Sequence, residues 1–402
     1  MPLLLRADLV LPGPAGQRLD NGAVLVEGDT ITAVGPYHRV RTDLGVARYE
    51  SDDLEELHFP VLTPGLINAH VHLAFDETDQ DPASAVKAGD DERVQDLMAT
   101  HARQLLDAGV TTARDLGGAT LPSIDLRDRI GSGKAVGPRL LVAGAPITPV
   151  GGHCWFLGGE VDPDDESLRA AVGERADAGA DVLKVMASGG RMTSTGAPMW
   201  KSQFTLRQLR VLVNEAHTVG LPVAAHCHGA DAIEDATSAG ADTIEHCGWR
   251  TESGDFDRRD HVAQEMASRG TVVCPTPTPN WPRLAQKIGE DRADYYHHRV
   301  RWLDEHGVTV ICGSDAGTRN AVFSDFVTSL HAFSHVGLSN SQVLEMATVT
   351  AARTLAVSSG ALTPGRSADI LALHHDPTKD LGALRYPARV ICGGQQPRES
   401  ES

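Results

Sequence analysis

The chain has 402 residues, 41% of them hydrophobic and 22% charged, the balance of a globular protein with a sizeable core. Its formal net charge of −18 argues against nucleic acid or an anionic membrane as a partner, since both select basic surfaces. Six cysteines are too sparse for a disulfide framework, and no run reaches the roughly 18–20 apolar residues of a membrane helix.

The N-terminal stretch 1–14 is interrupted by Arg6 and Asp8, lacks the charge order of a signal peptide, and alternates like a strand. A cytoplasmic protein is therefore expected. The first 60 residues carry strand signals over 2–11, 22–35 and 58–62, punctuated by Gly, Pro and Asp turns. From residue 61 strands alternate with helices: strands are expected over 61–72, 111–116, 139–145, 181–187, 222–228, 242–247, 271–276 and 309–315. Intervening helices end at Gly220, Gly240 and Gly270, where a positive φ suits a C-terminal cap.

Eight such alternations predict an α/β fold and favour a (β/α)8 TIM-like barrel over an open doubly wound sheet, which the spacing also allows. Strand signals return over 367–376 and 388–394, so both chain ends are expected to form one small β domain. The division is 1–60 and 359–402 for that domain and 61–358 for the barrel, with a frayed tail over 395–402. Three long loops, 146–163, 188–204 and 277–290, carry Trp155, Phe156, Trp200 and Trp281. With Trp249, after the sixth strand, they put four tryptophans on the expected active-site face.

Residues two apart on a strand share a face, so His70 and His72 in PGLINAHVHL can chelate one cation. The same alternation joins His226 with His228 and turns Cys227, Cys247 and Cys312 away, toward burial as small hydrophobes. Lys184 lies mid-strand in LKVM, where burial favours a neutral, nucleophilic amine. Two readings follow: a carbamate formed with carbon dioxide, or a lysine paired with a buried acid or contacting substrate. Asp315, in Gly-Ser-Asp-Ala-Gly, can hold and deprotonate a water or cap a helix. Together His70, His72, Lys184, His226, His246 and Asp315 can hold two divalent cations and a water between them.

These motifs, in this order, resemble the amidohydrolase superfamily: PGLINAHVHL is similar to its first-strand signature and LTPGRSADILAL (362–373) to its return into a terminal β-sandwich. The resemblance covers essentially the whole chain, and LKVMASGG resembles the prolidase-like and Xaa-Arg/Lys dipeptidase branch. It implies a small β-sandwich from both ends and a two-metal centre, usually zinc. His70, His72 and Asp315 would bind one metal, His226 and His246 the other, with carbamylated Lys184 as the bridge. It also implies that His153 lies near substrate, while strand parity puts His228 on the His226 face but farther out, where it can touch substrate. Two segments depart from the branch. Arg191 follows ASGG where an aliphatic residue is usual, and CGWRTE follows His246; both lie in substrate loops. Arg191 is a candidate carboxylate clamp, and Trp155, Trp249 and Trp281 are candidate substrate contacts.

The expected chemistry is hydrolysis of an amide C–N bond in a dipeptide, N-acyl amino acid or cyclic amide. A hydroxide held between two cations attacks the carbonyl, and Asp315 relays its proton to nitrogen. A cyclising dehydration on the same centre is the reverse option. A mononuclear deaminase or imidazolone-type hydrolase is the alternative, but it needs an acid soon after His226 and the first is Asp231. A non-catalytic scaffold would not need all six ligands. The expected partner is a small-molecule substrate, with self-association into a homo-oligomer left open.

Overall fold

The computed structural model describes residues 1–42 and 54–394; the expected tail at 395–402 lies outside the described residues. Fifteen strands are defined among them. They are β1 (Leu3–Val10), β2 (Leu19–Glu27), β3 (Thr30–Pro36), β4 (Glu55–Pro64), β5 (Leu66–Val71), β6 (Val110–Asp115), β7 (Arg139–Val142), β8 (Thr148–Pro149), β9 (Glu160–Val161), β10 (Leu183–Met186), β11 (Val223–Gly229), β12 (Thr243–Arg250), β13 (Val272–Cys274), β14 (Ile370–Leu373) and β15 (Arg389–Ile391).

Both chain ends meet in one six-stranded sheet, in the order β15-β14-β4-β1-β2-β3. The stretch expected as a strand over 22–35 is a hairpin, turned at Gly28 with φ 62°. Alternation sorts β1 by parity. Leu3, Leu5 and Ala7 pack with Val24, Leu62, Ile370 and Ile391 on one face, and Leu4 packs with Ala23, Leu25 and Val40 on the other. The helix Tyr37–Thr42 supplies Val40.

The remainder is mixed α/β with two parallel sheets, β5-β6-β7 and β10-β11-β12-β13. Their strands are buried on both faces, as parallel strands covered by helices must be. Single pairings connect the two sheets. Ile147 bridges Val185, Val273 bridges Val310, and Val71 bridges Ala316. Two sequence expectations change here. The strand expected over 61–72 is two strands, because the chain breaks at Gly65, where a Cβ would collide with the Thr111 side chain. The strand expected over 309–315 makes only single bridges, since Asp315 has a left-handed φ of 58° and Gly313 sits hard against His70 and Cys274.

The helices follow the sequence signals. Leu206–Thr218 starts with a Thr205/Gln208 capping box. The helices Ala230–Ala239 and Asp260–Arg269 end on Gly240 and Gly270, both left-handed. No described helix is long and apolar enough to cross a membrane.

Candidate metal centre

β5 delivers His70, and His72 follows it by one residue. The segment carrying Asp315 is laced to both, with Asp315 N–H donating to the His70 carbonyl (3.0 Å) and His72 N–H to that of Ala316 (2.8 Å). The two Nε2 atoms lie 3.2 Å apart, and Asp315 Oδ1 is 3.4 and 3.3 Å from them. A tetrahedral cation with bonds of about 2.0–2.1 Å spaces its ligands by about 3.3–3.4 Å. The triangle matches that spacing.

A second group is formed by His226, His228 and His246, whose ligand atoms lie within 4.8 Å of one another. Their ring centroids are 4.5–4.7 Å apart. His228, expected farther out and toward substrate, is the less buried of the three. The β11–β12 register shifts between Cys227 and Gly229, and His246 is left-handed with φ 64°. Both irregularities draw the rings together.

Four histidines have one ring nitrogen engaged away from the ligand position. His70 Nδ1 donates to Glu245 Oε2 (2.7 Å), His72 Nδ1 to the Gly117 carbonyl (3.2 Å), and His226 Nε2 to the Gly189 carbonyl (3.2 Å). His246 Nδ1 pairs with the Thr276 hydroxyl (2.7 Å). Such outer partners fix the tautomer and present the other nitrogen as a lone pair. Burial, aided by the neighbouring Lys184 charge, lowers His70 to about 4 and holds His226 and His246 well below the usual imidazole value. All three are neutral at pH 7, as metal ligands must be.

Lys184 is 1% exposed, and its Nζ finds no hydrogen-bond partner. Burial lowers its pKa, and its charge acts on His70, His226 and His246 together. An unpartnered buried ammonium is costly. The histidine groups with Asp315 are a donor set that fits divalent metal.

Sequence parity missed Glu245 and Arg114. Both are fully buried; Arg114 donates to Glu245 Oε1 (2.8 Å), the Ala69 carbonyl (2.8 Å) and the Thr243 hydroxyl (3.2 Å). Burial pushes the Glu245 carboxyl up, but Arg114 and His70 outweigh it and keep it ionised. Strict alternation would turn Glu245 away from His246. The left-handed pair His246 and Cys247 (φ 64° and 48°) breaks the alternation and lets both acid and imidazole face inward. Opposite charges inside two apolar strands, ARD and IEH, were the available signal. The alternation argument for Cys247 fails at the same kink, though Cys247 is still buried. All six cysteines are free.

In the loops, the His153 ring lies 4.7 Å from that of His226 and tight against Gly190. The Nδ1 atoms of His153 and His228 are buried without partners. Arg191 is exposed and its charge acts on His228. The tryptophans do not gather as expected. Trp249 is wholly buried against Trp302, because its φ of 54° turns the chain into the core. Trp281 donates Nε1–H to the Thr328 carbonyl (2.9 Å) and packs on His335. Trp155 is 43% exposed, its ring edge-on to Phe156.

A model of the amidohydrolase family matches residues 61–396, and one of an imidazolonepropionase-like composite domain matches 22–43. The chain belongs to the amidohydrolase family. It is a hydrolase acting on carbon–nitrogen bonds, of a family that generally uses a divalent metal. Ochratoxinase of Aspergillus niger is 26% identical over 432 residues, covering 96% of this chain and 84% of that protein. The ochratoxinase crystal structure superposes with a TM-score of 0.84 at 25% identity, over 98% of this chain and 95% of the other. A Xaa-Pro dipeptidase with methionine bound in its active site gives 0.83 at 25% identity, over 98% and 99%.

Proposed function

We propose that this chain hydrolyses an amide C–N bond in a small molecule, a dipeptide, N-acyl amino acid or cyclic amide, with two divalent cations, zinc foremost. The observation that carries the reading is the donor set itself. Four histidines each have one nitrogen tied back and the other presented, around Asp315 and the orphaned Lys184 amine. Lys184 as its carbamate would bridge the two groups. When bound, the cations supply a Lewis acid for the carbonyl and acidify water near neutral pH.

The chain's own residues do the rest. Asp315 is held ionised by hydrogen bonding to His72, against the pull of burial. Its carboxylate takes a proton from the attacking water and returns it to the departing nitrogen. The unpartnered Nδ1 atoms of His153 and His228 orient the substrate. The ochratoxinase and dipeptidase relatives favour a small amide. The single pairings between the two parallel sheets support an eight-stranded (β/α)8 barrel, with the terminal sheet as the smaller β-sandwich unit. The mononuclear deaminase reading is weakened by Asp231, which is exposed and paired with Arg259 at 2.7 Å.

Metal analysis of the purified protein is expected to find about two equivalents. A screen of dipeptides, N-acyl amino acids and cyclic amides is expected to yield an amine product. One equivalent with ammonia release from an aminated heterocycle would replace this reading with the deaminase.

A further inference from the structure

Arg250 closes β12 directly opposite Gly229, the neighbour of His228. The loop behind it folds back tightly: Thr251 N–H donates to the Asp255 carbonyl (3.0 Å) and Asp257 N–H to that of Trp249 (2.7 Å). This seats Phe256 against Arg250, with the guanidinium 5.3 Å from the Phe256 ring centre and 5.7 Å from that of Tyr296. Aromatic faces hold the cation by its plane and leave its edge donors free. Arg250 Nε is buried and has no hydrogen-bond partner.

Among the described residues neither Arg250 nor Arg191 pairs with a carboxylate. Three acids of the surrounding segments are committed elsewhere, Asp255 to Arg292 (3.3 Å), Asp257 to Arg259 (2.8 Å) and Asp231 also to Arg259, and Glu252 is exposed to solvent. Arg299 is different, since its donors are spent on the carbonyls of His246, Cys247, Pro275 and Tyr296. A surplus of uncompensated cations at this one place, in a chain of net charge −18, calls for an anion from outside. Its position is tied to the metal centre. Gly229, paired with Arg250, adjoins His228, and Arg191 follows Gly190, which lies against the His153 ring.

We propose that Arg250, seconded by Arg191, is the specificity-determining site for a carboxylate on the substrate, held on the His228 side of the metal centre. The proposal rests on the amide-hydrolase reading above and narrows it. Substrates are anionic acyl amino acids or dipeptides with a free terminal carboxylate, and neutral cyclic amides are poor. Arg250 acts on binding, through paired N–H donors to the carboxylate.

The test uses the metal-loaded full chain and two kinds of measurement. Calorimetry compares binding of N-acetyl-L-phenylalanine with its carboxamide, for the wild type, Arg250→Met, Arg250→Lys and Arg191→Met. The wild type is expected to bind the acid about 10- to 100-fold more tightly. Arg250→Met should bring that ratio near one, and Arg191→Met should lower it less. Arg250→Lys, which keeps the charge, should restore part of it. Arg258→Met removes a neighbouring cation lying 3.5 Å over Tyr295 and should keep the preference. A wild type with no preference, or an Arg250→Met that retains it, would overturn the proposal. Hydrolysis of matched dipeptides and dipeptide amides is measured alongside: the loss in Arg250→Met should fall on KM for the free acid. Absence of turnover with every amide overturns the hydrolase reading, while the binding ratio still decides the arginine site.

Discussion

Glu245 binds Arg114 with one carboxylate oxygen and His70 with the other, at 2.8 and 2.7 Å, all three side chains being buried. The strand-end histidine is thereby locked with Nδ1 protonated and Nε2 facing Asp315. One acid sets both the tautomer of a ligand and the charge balance beneath the site.

Replacing Glu245 with Gln removes the charge that makes His70 a strong donor. Metal affinity is expected to fall about 10- to 100-fold, measured by competition with a chelating dye. An unchanged affinity would assign Glu245 to packing alone.

Arg114→Met strands the Glu245 carboxylate in the core. Urea unfolding is expected to show a loss of about 3–5 kcal/mol. The double variant with Glu245→Leu should lose less than the two single variants summed, because it removes the uncompensated charge.

Lys184→Ala is expected to retain no more than about one of two metal equivalents. Intact-mass analysis under native conditions should show the increment of one carbon dioxide on the wild type and none on the variant. Two bound metals in Lys184→Ala would refute the bridge.

Asp315→Asn keeps the shape and an oxygen ligand but cannot carry the proton. Turnover is expected to fall about 10²- to 10⁴-fold with metal content largely kept. Near-normal turnover would move the proton relay to another residue.

His297 offers a pH test away from the ligands. Burial, with help from Arg299 and His335, lowers it to about 4, below the ordinary value near 6.5. The unfolded chain therefore binds more protons between those values. Stability contributed by neutral His297 is complete above pH ~6.5 and is lost as pH falls toward ~4. The urea midpoint of His297→Gln should depend less on pH across that window than the wild type; equal slopes would exclude His297 as a contributor.

Much of the site was legible because its residues sit on regular strands. The spacing of His70 and His72 needs only the two-residue repeat, and Lys184 announces itself as a charge in an apolar run. The terminal strands were legible for the same reason. What alternation could not carry were the kinks. Five non-glycine residues adopt left-handed backbone at the strand ends, His246, Cys247, Trp249, Thr276 and Asp315. They bring Glu245 inward, sink Trp249 into the core and reduce 309–315 to single bridges. Such conformations cost free energy and depend on tertiary context, which no local pattern records. The break at Gly65 depends on a residue 46 positions away, Thr111.

The placement of β4 has a consequence for how the chain is made. β4 runs directly into the strand bearing His70, with β1 on one side and β14 on the other. During synthesis β1 emerges first, whereas β14 follows only after residue 370. Until then one edge of β4 stays bare, an open template for another chain. A shortened product lacking β14 and β15 is expected to self-associate through that edge. β14 thus acts as a late latch on β4, made only after the segments that carry His70, Lys184, His246 and Asp315.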